Sequence, residues 1–202
     1  RIKIKTLAGL RIVTTLNFYQ SRIESIEDDA FKNLKKLNNL DLRYNKLTTI
    51  TNKTFSGLSN IYKLYLDYNL ISTIEPLAFA ELVNLQNLFL TRNLIKTIPS
   101  DLFKNITWIN LIYLSFNMIS VIRTETFTDL FYLREIYLDN NLIEKFEPSS
   151  FRNLSLLQNI DFSNNKIREI KTFYFKGRKF FFNLKKKSKL ITYCILKAFL
   201  RY

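Results

Sequence analysis

The sequence contains no histidine, one cysteine, three glycines and three prolines among its 202 residues. Histidine is the commonest general base and metal ligand, so its absence removes the usual catalytic triads and most metal sites. The lone Cys194 cannot by itself form an internal disulfide or a thiolate metal site. The adjacent acids Asp28 and Asp29 lack a partner base, a metal cluster or a glycine loop. The composition therefore predicts no enzyme and no cofactor or metal.

Long apolar runs are also missing. The longest near the C-terminus, residues 190–200, is interrupted by Lys197 and is shorter than the roughly 20 residues that cross a bilayer. We therefore predict no transmembrane segment in this chain. No signal peptide is visible, and the chain begins at Arg1.

The net charge of +14 is concentrated at one end of the chain. Residues 178–202 contain eight Lys and Arg residues and no acid. A uniformly basic protein suggests a nucleic-acid or membrane partner. Here the excess belongs largely to the C-terminal segment, so it predicts little about the rest of the chain.

A 24-residue period is the main feature that is present. Asparagine recurs every 24 residues, at Asn45, Asn69, Asn93, Asn117, Asn141 and Asn165. Ten residues after each of these, and after Ser21 in the same register, stands a phenylalanine: Phe31, Phe55, Phe79, Phe103, Phe127, Phe151 and Phe175. Apolar residues occupy the positions three and five before and two and five after each asparagine. The period holds without an insertion.

This pattern, LxxLxLxxNxLxxIxxxxFxxL, resembles the leucine-rich repeat family in its 24-residue class. The resemblance implies an α/β solenoid, a horseshoe with a parallel β-sheet on its concave side and irregular or short helical segments on its convex side. We expect about seven repeats over residues 13–176. Residues 1–12 match the second half of a further repeat, because Ile2, Leu7 and Leu10 keep the register. The chain is therefore interpreted as a fragment.

The two invariant columns have physical roles in such a stack. The asparagine ladder stands where the chain leaves each strand, and its amides can pair with backbone groups that a buried turn would otherwise leave without partners. The Phe column is expected to form a spine beneath the convex side, with about 1.5–3 kcal/mol of burial energy per ring.

Residues 177–202 lose the period and become basic and aromatic. Three interpretations remain open. The segment is a degenerate cap in which Phe180, Phe181 and Phe182 cover the open core, a stretch of out-of-frame or unspliced sequence, or a basic amphipathic segment that contacts a membrane or a partner.

Aromatic residues recur at strand positions that are expected to face outward on the concave side. One column contains Tyr65, Phe89, Tyr113 and Tyr137, and the column three residues further on contains Tyr44, Tyr68, Arg92 and Phe116. Aromatic residues and arginine are enriched at binding hot spots, so the two columns predict a protein-binding surface. The alternative is an aromatic ladder that only stabilises the sheet.

The concave charges argue against nucleic acid as the partner. Arg43, Lys63, Arg92 and Arg134 are interspersed with Asp41, Asp67, Glu135, Asp139 and Asp161. A phosphate-binding face is expected to be uniformly basic. The surface is mixed in sign, which favours a protein ligand or co-receptor.

Three sequons begin at Asn52, Asn105 and Asn153, at positions expected to lie on the convex or flanking sides. The family resemblance implies an extracellular interaction module, as in the ectodomains of Toll-like receptors, Slit-type guidance proteins and small leucine-rich proteoglycans. The function predicted is a protein-binding module of a secreted or cell-surface receptor or matrix protein. The alternatives are a cytoplasmic scaffold or adaptor solenoid and a membrane-surface binder that acts through residues 178–202.

Overall fold

A computed structural model describes residues 1–168 and, for the backbone, residues 181–183. Several predictions concern residues outside this part of the chain. They include Phe175 as the last member of the Phe column and the cap formed by the side chains of Phe180, Phe181 and Phe182. The membrane-contact interpretation of residues 178–202 also lies there.

The main sheet has eight parallel strands, each of three residues. In chain order they are β1 (Thr15–Asn17), β2 (Asn39–Asp41), β4 (Lys63–Tyr65), β6 (Asn87–Phe89), β7 (Leu111–Tyr113), β9 (Glu135–Tyr137), β11 (Asn159–Asp161) and β12 (Phe181–Asn183). Each strand pairs with the next one in this order. The predicted solenoid of parallel strands, one per repeat, is confirmed.

Strand register follows the sequence period. From β1 to β11 every residue pairs with the residue 24 positions later, as in Leu16↔Leu40 and Leu88↔Ile112. The strand β12 breaks this spacing, because Ile160 of β11 pairs with Phe182, only 22 positions later. Side chains alternate along a strand, so a constant register places every member of a column on the same face of the sheet.

The opposite side of each repeat consists mostly of turns. Two short parallel ladders lie there, one between β3 (Thr49–Ile50) and β5 (Thr73–Ile74), the other between β8 (Val121–Ile122) and β10 (Lys145–Phe146). The helical element α1 is a single turn, Ile4–Leu7. Just before it, Ile2 forms an isolated parallel bridge with Ile26, again 24 residues away.

The core is a continuous stack of apolar side chains between the main sheet and the turns. Phe31, Phe55, Phe79, Phe103, Phe127 and Phe151 are at most 4% exposed. Four neighbouring pairs stack with centroid separations of 5.3 to 6.3 Å, among them Phe31–Phe55 and Phe103–Phe127. No single repeat encloses its own core, since the buried side chains of all the repeats form one continuous cluster.

The asparagine column joins each repeat to the one before it. The side-chain Nδ2 of Asn93 donates to the carbonyl oxygens of Leu90 in its own repeat and Leu66 in the previous one, at 3.1 and 3.0 Å. Its Oδ1 accepts the backbone N–H of Ile71 at 3.0 Å. The same pattern recurs at the other five positions: Asn45, Asn69, Asn117, Asn141 and Asn165. Within residues 1–168 no buried side-chain nitrogen or oxygen lacks a hydrogen-bond partner.

Candidate functional site

The outward face of the main sheet, here called the concave face, has a row of stacked aromatic rings at its centre. The row consists of Tyr65, Phe89, Tyr113 and Tyr137, one from each of four consecutive strands, and we call it the central ladder. Ring centroids are 4.6, 5.3 and 4.4 Å apart along it, and neighbouring ring planes lie within 14° of parallel. All four residues are half-buried. Parallel strands lie about 4.8 Å apart, so aromatic residues in one column stack face to face.

A second row of large side chains follows the strands in the turns that leave them. It consists of Tyr44, Tyr68, Arg92 and Phe116, and we call it the turn ladder. The Tyr44 and Tyr68 rings stack at 4.2 Å, and Tyr19 packs edge-on against Tyr44 at 5.1 Å. The Arg92 guanidinium carbon continues the row, 5.6 Å from the Tyr68 centroid and 4.3 Å from that of Phe116.

The backbone of the turn ladder adopts the left-handed conformation, with φ between 55° and 56° at all four residues. The same position has φ near 54° at Asn140 and Asn164 in the next two repeats. Asparagine tolerates this conformation better than most residues, whereas other L-residues pay about 1–2 kcal/mol for it. The turn ladder therefore places bulky side chains where the backbone disfavours them.

An arginine–carboxylate pair occupies the N-terminal half of the concave face. The Arg43 Nε lies 3.0 Å from Oδ1 of Asp41, and its Nη2 lies 2.5 Å from Oδ2. Its guanidinium carbon also lies 4.8 Å from the Tyr65 ring centroid and 5.5 Å from that of Tyr19. Burial opposes ionisation of Asp41, but the hydrogen bonds from Arg43 outweigh it and hold the pKa of Asp41 below its ordinary value.

Asp67, in the next repeat, shows the opposite shift. It is 8% exposed, and its Oδ1 accepts the backbone N–H of Thr91 at 2.9 Å. Burial raises the pKa of the Asp67 carboxyl, and the hydrogen bond from Thr91 offsets this only in part. The neighbouring carboxylates of this half of the face thus differ, because only Asp41 has an arginine hydrogen-bonded to it.

Acidic side chains surround the C-terminal end of the central ladder. The Tyr137 hydroxyl donates to Glu135 at 2.5 Å, and the resulting hydrogen bond raises the pKa of Tyr137. Asp139 accepts hydrogen bonds from the Ser115 hydroxyl and, at 2.6 Å, from the Asn140 amide. The two halves of the concave face therefore differ in charge, since only the N-terminal half has an arginine–carboxylate pair among the described residues.

Sequence reasoning placed all eight residues of the two ladders on one surface, but it missed two features. It did not anticipate that Arg43 bridges Tyr19 and Tyr65. It also missed an exposed aromatic pair on the opposite flank, just before the strands, where Trp108 and Tyr132 stack at 4.5 Å. These two residues are 49% and 44% exposed. Their 24-residue separation places them in one column of the repeat, so the sequence already contained the signal for this pair.

The three sequon asparagines, Asn52, Asn105 and Asn153, are exposed and lie away from the concave face. Asn153 donates to Asp129 at 2.7 Å, and the backbone N–H of Asn52 donates to Glu75 at 2.9 Å. Among the described residues there is no group of three or more acidic or Cys side chains arranged to hold a metal ion. No described helix is long and apolar enough to cross a membrane.

The chain is similar in structure to chains of several solved complexes. In the Toll–Spatzle complex from Drosophila a chain matches with 25% identity and a TM-score of 0.70, over 82% of this chain. The glycosylated form of that complex matches with 26% identity and a TM-score of 0.66, over 73% of this chain. The TLR13–ssRNA13 complex, at 24% identity and a TM-score of 0.65 over 92% of the chain, shows the shared fold alone.

The present chain spans only 21–31% of the length of these neighbours. No curated protein matches it in sequence. The Leucine rich repeat family model matches residues 11–71, 59–119, 83–143 and 107–167, which together cover most of the chain. The chain therefore belongs to the leucine rich repeat family.

Proposed function

We propose that the chain is a protein-binding module of a secreted or cell-surface protein, of the receptor or matrix type, and that its ligand binds on the concave face. The proposal carries with it a role in recognition or signal transduction and no catalytic activity. The main observation that supports it is the unbroken central ladder of Tyr65, Phe89, Tyr113 and Tyr137 on the open side of the sheet.

The geometry of the ladder suits a binding surface. Each ring is held by its neighbours, so little conformational entropy remains to be lost when a partner covers it. Large apolar area that is rigid before binding is typical of hot spots. The alternative, a ladder that only stabilises the sheet, is worth about 0.2–1 kcal/mol per cross-strand pair. The two hypotheses differ in whether removal of one ring abolishes binding.

Protein is a better partner than nucleic acid for this face. Stacking of the rings on one another occupies their flat sides, which are the surfaces on which nucleobases stack. Carboxylates without an ion pair to any described residue also lie at the C-terminal end of the ladder, at Glu135 and Asp139, and would repel phosphates. A protein ligand or co-receptor with both charged and apolar groups fits the surface better.

The similarity to Toll in its complex with Spatzle supports an extracellular receptor-like role. The sequons agree with that placement, since glycans on Asn52, Asn105 and Asn153 would leave the concave face open. Mass spectrometry of the protein from its natural source would test the placement. Glycan at any of the three sites supports it, and three unmodified sites favour the cytoplasmic scaffold.

Selection of a displayed library of random 12-residue peptides on the immobilised chain tests the binding surface. We expect the peptides that bind best to lose about tenfold or more in affinity on Tyr113→Ala, because the substitution opens a gap in the ladder. The matched control is Phe131→Ala, which removes an exposed ring from the flank instead.

The outcome distinguishes the two surfaces. Peptides that bind Phe131→Ala normally and Tyr113→Ala poorly support the concave face. If the selected peptides instead lose affinity for Phe131→Ala, or for a Tyr132→Ala variant, the binding surface is the flank and the proposal is wrong.

A further inference from the structure

Arg92 is the one cation of the turn ladder, and it is fixed between two aromatic rings. Its guanidinium carbon lies 4.3 Å from the Phe116 centroid and 5.6 Å from that of Tyr68. The residue is exposed. Among residues 1–168 the only ion pairs are Arg43–Asp41, Lys46–Glu24 and Arg152–Glu125, so no described carboxylate neutralises Arg92.

The same face shows what such an arginine does when a carboxylate is within reach. Arg43 lies between the rings of Tyr65 and Tyr19, at 4.8 and 5.5 Å. It also binds Asp41 through two nitrogens, with Nε 3.0 Å from Oδ1 and Nη2 2.5 Å from Oδ2. Arg43 therefore combines aromatic contacts with a bidentate carboxylate pair, whereas Arg92 has only the aromatic contacts.

Aromatic contacts leave the binding capacity of an arginine intact. Rings pack against the flat face of the guanidinium, while its five N–H donors lie in the plane and match the two oxygens of a carboxylate. A guanidinium already held by two rings loses little further freedom when it pairs.

The backbone supports a role for this side chain beyond the fold. Arg92 has φ +55°, where asparagine fits more easily and is present in the equivalent positions Asn140 and Asn164. Arginine at this position costs about 1–2 kcal/mol of backbone strain. The contacts with Phe116 and Tyr68 offset part of that cost. They also hold the guanidinium where a carboxylate of a partner would bind it.

We propose that Arg92 binds an aspartate or glutamate side chain of the protein ligand, held in a bidentate pair at the centre of the turn ladder. This inference rests on the proposed function, because it places the acid of the ligand on the concave face. A polyanion such as heparin or RNA offers anions too, but Asp67 and Asp139 on the same face disfavour dense negative charge.

Peptides from the displayed library provide the test. Binders whose affinity falls on Tyr113→Ala are synthesised, each of their acidic residues is replaced by alanine, and dissociation constants are measured on wild type and on Arg92→Gln. We expect one acid to matter, with about a tenfold or greater loss on either change alone and little further loss when both are combined.

Two further variants separate specific pairing from general charge. Arg92→Lys keeps the charge but loses the planar donor pair, so it should recover less than half of the loss. Lys63→Gln removes another cation from the same face and should change affinity less than about twofold. Thermal unfolding of each variant shows whether it is folded.

The outcomes distinguish this inference from the proposed function. Peptides that need Tyr113 but bind Arg92→Gln as tightly as wild type overturn the carboxylate site and leave the concave surface standing. The carboxylate site is also wrong if Arg92→Gln and Lys63→Gln lower peptide affinity equally and added salt abolishes both losses. If no selected peptide loses affinity on Tyr113→Ala, the proposed function is wrong and the carboxylate site falls with it.

Discussion

Leu88 and Phe89 are neighbours in β6, yet they belong to columns with opposite behaviour. The column of Leu88 is apolar from β1 to β11 and is fully buried from β2 to β11. The column of Phe89 runs from Asn17 through Asp41 and four aromatic residues to Asp161. Every inward position faces the same core, whereas an outward position is bounded only by its neighbours in the column. The residue types at buried positions therefore repeat from strand to strand, whereas those on the concave face are free to vary.

The largest effect is expected where the buried side is broken. Phe127 is 0% exposed and stacks on Phe103 and Phe151 at 5.3 and 5.5 Å. Phe127→Ala leaves a cavity that the adjoining repeats cannot fill, so we expect a loss of about 3–5 kcal/mol in urea unfolding. Phe131→Ala, at a ring 44% exposed, should cost less than about 1 kcal/mol. Equal losses for the two would contradict the inside–outside distinction.

The asparagine ladder is expected to show the next largest effect. Asn93→Ala leaves the buried N–H of Ile71 without its acceptor. It also removes one of the two amide donors at each of the Leu66 and Leu90 carbonyls, which keep their bonds from Asn69 and Asn117. Loss of these bonds should lower the free energy of unfolding by about 1–3 kcal/mol. The control is Asn84→Ala, whose amide donates to Ser59 at the exposed surface. A loss of less than about 1 kcal/mol in the free energy of unfolding on Asn93→Ala would show that water replaces the hydrogen bonds of the Asn93 side chain.

The smallest effect, and the one that tests the concave face itself, is a pair of opposite pH dependences. The pKa of Asp67 is raised by burial, so its charged form costs stability at neutral pH and this cost vanishes as the pH falls through the folded pKa. The pKa of Asp41 is lowered, because the hydrogen bonds from Arg43 outweigh burial. The ionised Asp41 therefore stabilises the fold above its unfolded pKa, and this stabilisation is lost as the pH falls through the folded pKa.

Asp67→Asn should therefore raise the free energy of unfolding in urea at pH 7 and Asp41→Asn should lower it, each by less than about 1 kcal/mol. Both differences from wild type should shrink as the pH is lowered toward 3. Unfolding curves at pH 7, 5 and 3 measure this. A common sign for the two variants would mean that the arginine pair does not control the charge of this half of the face.

The 24-residue period was sufficient to predict most of the fold. Its phase identifies the strand residues, since the apolar pair at Leu40 and Leu42 brackets the outward Asp41. It also separates the buried columns from the exposed ones. A one-residue slip would turn every inward side chain outward, so the hydrophobic pattern alone determines the register.

Contacts between columns were beyond the reach of the sequence. The period places Arg43 and Tyr65 in adjacent repeats, but only side-chain geometry brings the guanidinium over the ring at 4.8 Å. Similarly, nothing in the pattern distinguishes Gly57 from other turn residues. In the structure its φ is +82°, and a Cβ there would lie 2.6 Å from the carbonyl oxygen of Lys32 in the previous repeat.

The sequence by itself thus determined the repeat, the strand register and the two buried columns, because each depends on a local pattern repeated at constant spacing. The tertiary structure decided which outward side chains stack, which carboxylate pairs with Arg43, and that Arg92 lies between two rings with no ion pair among the described residues. Those outcomes depend on rotamers and on distances of a few ångströms between repeats, and a one-dimensional period carries no information about either.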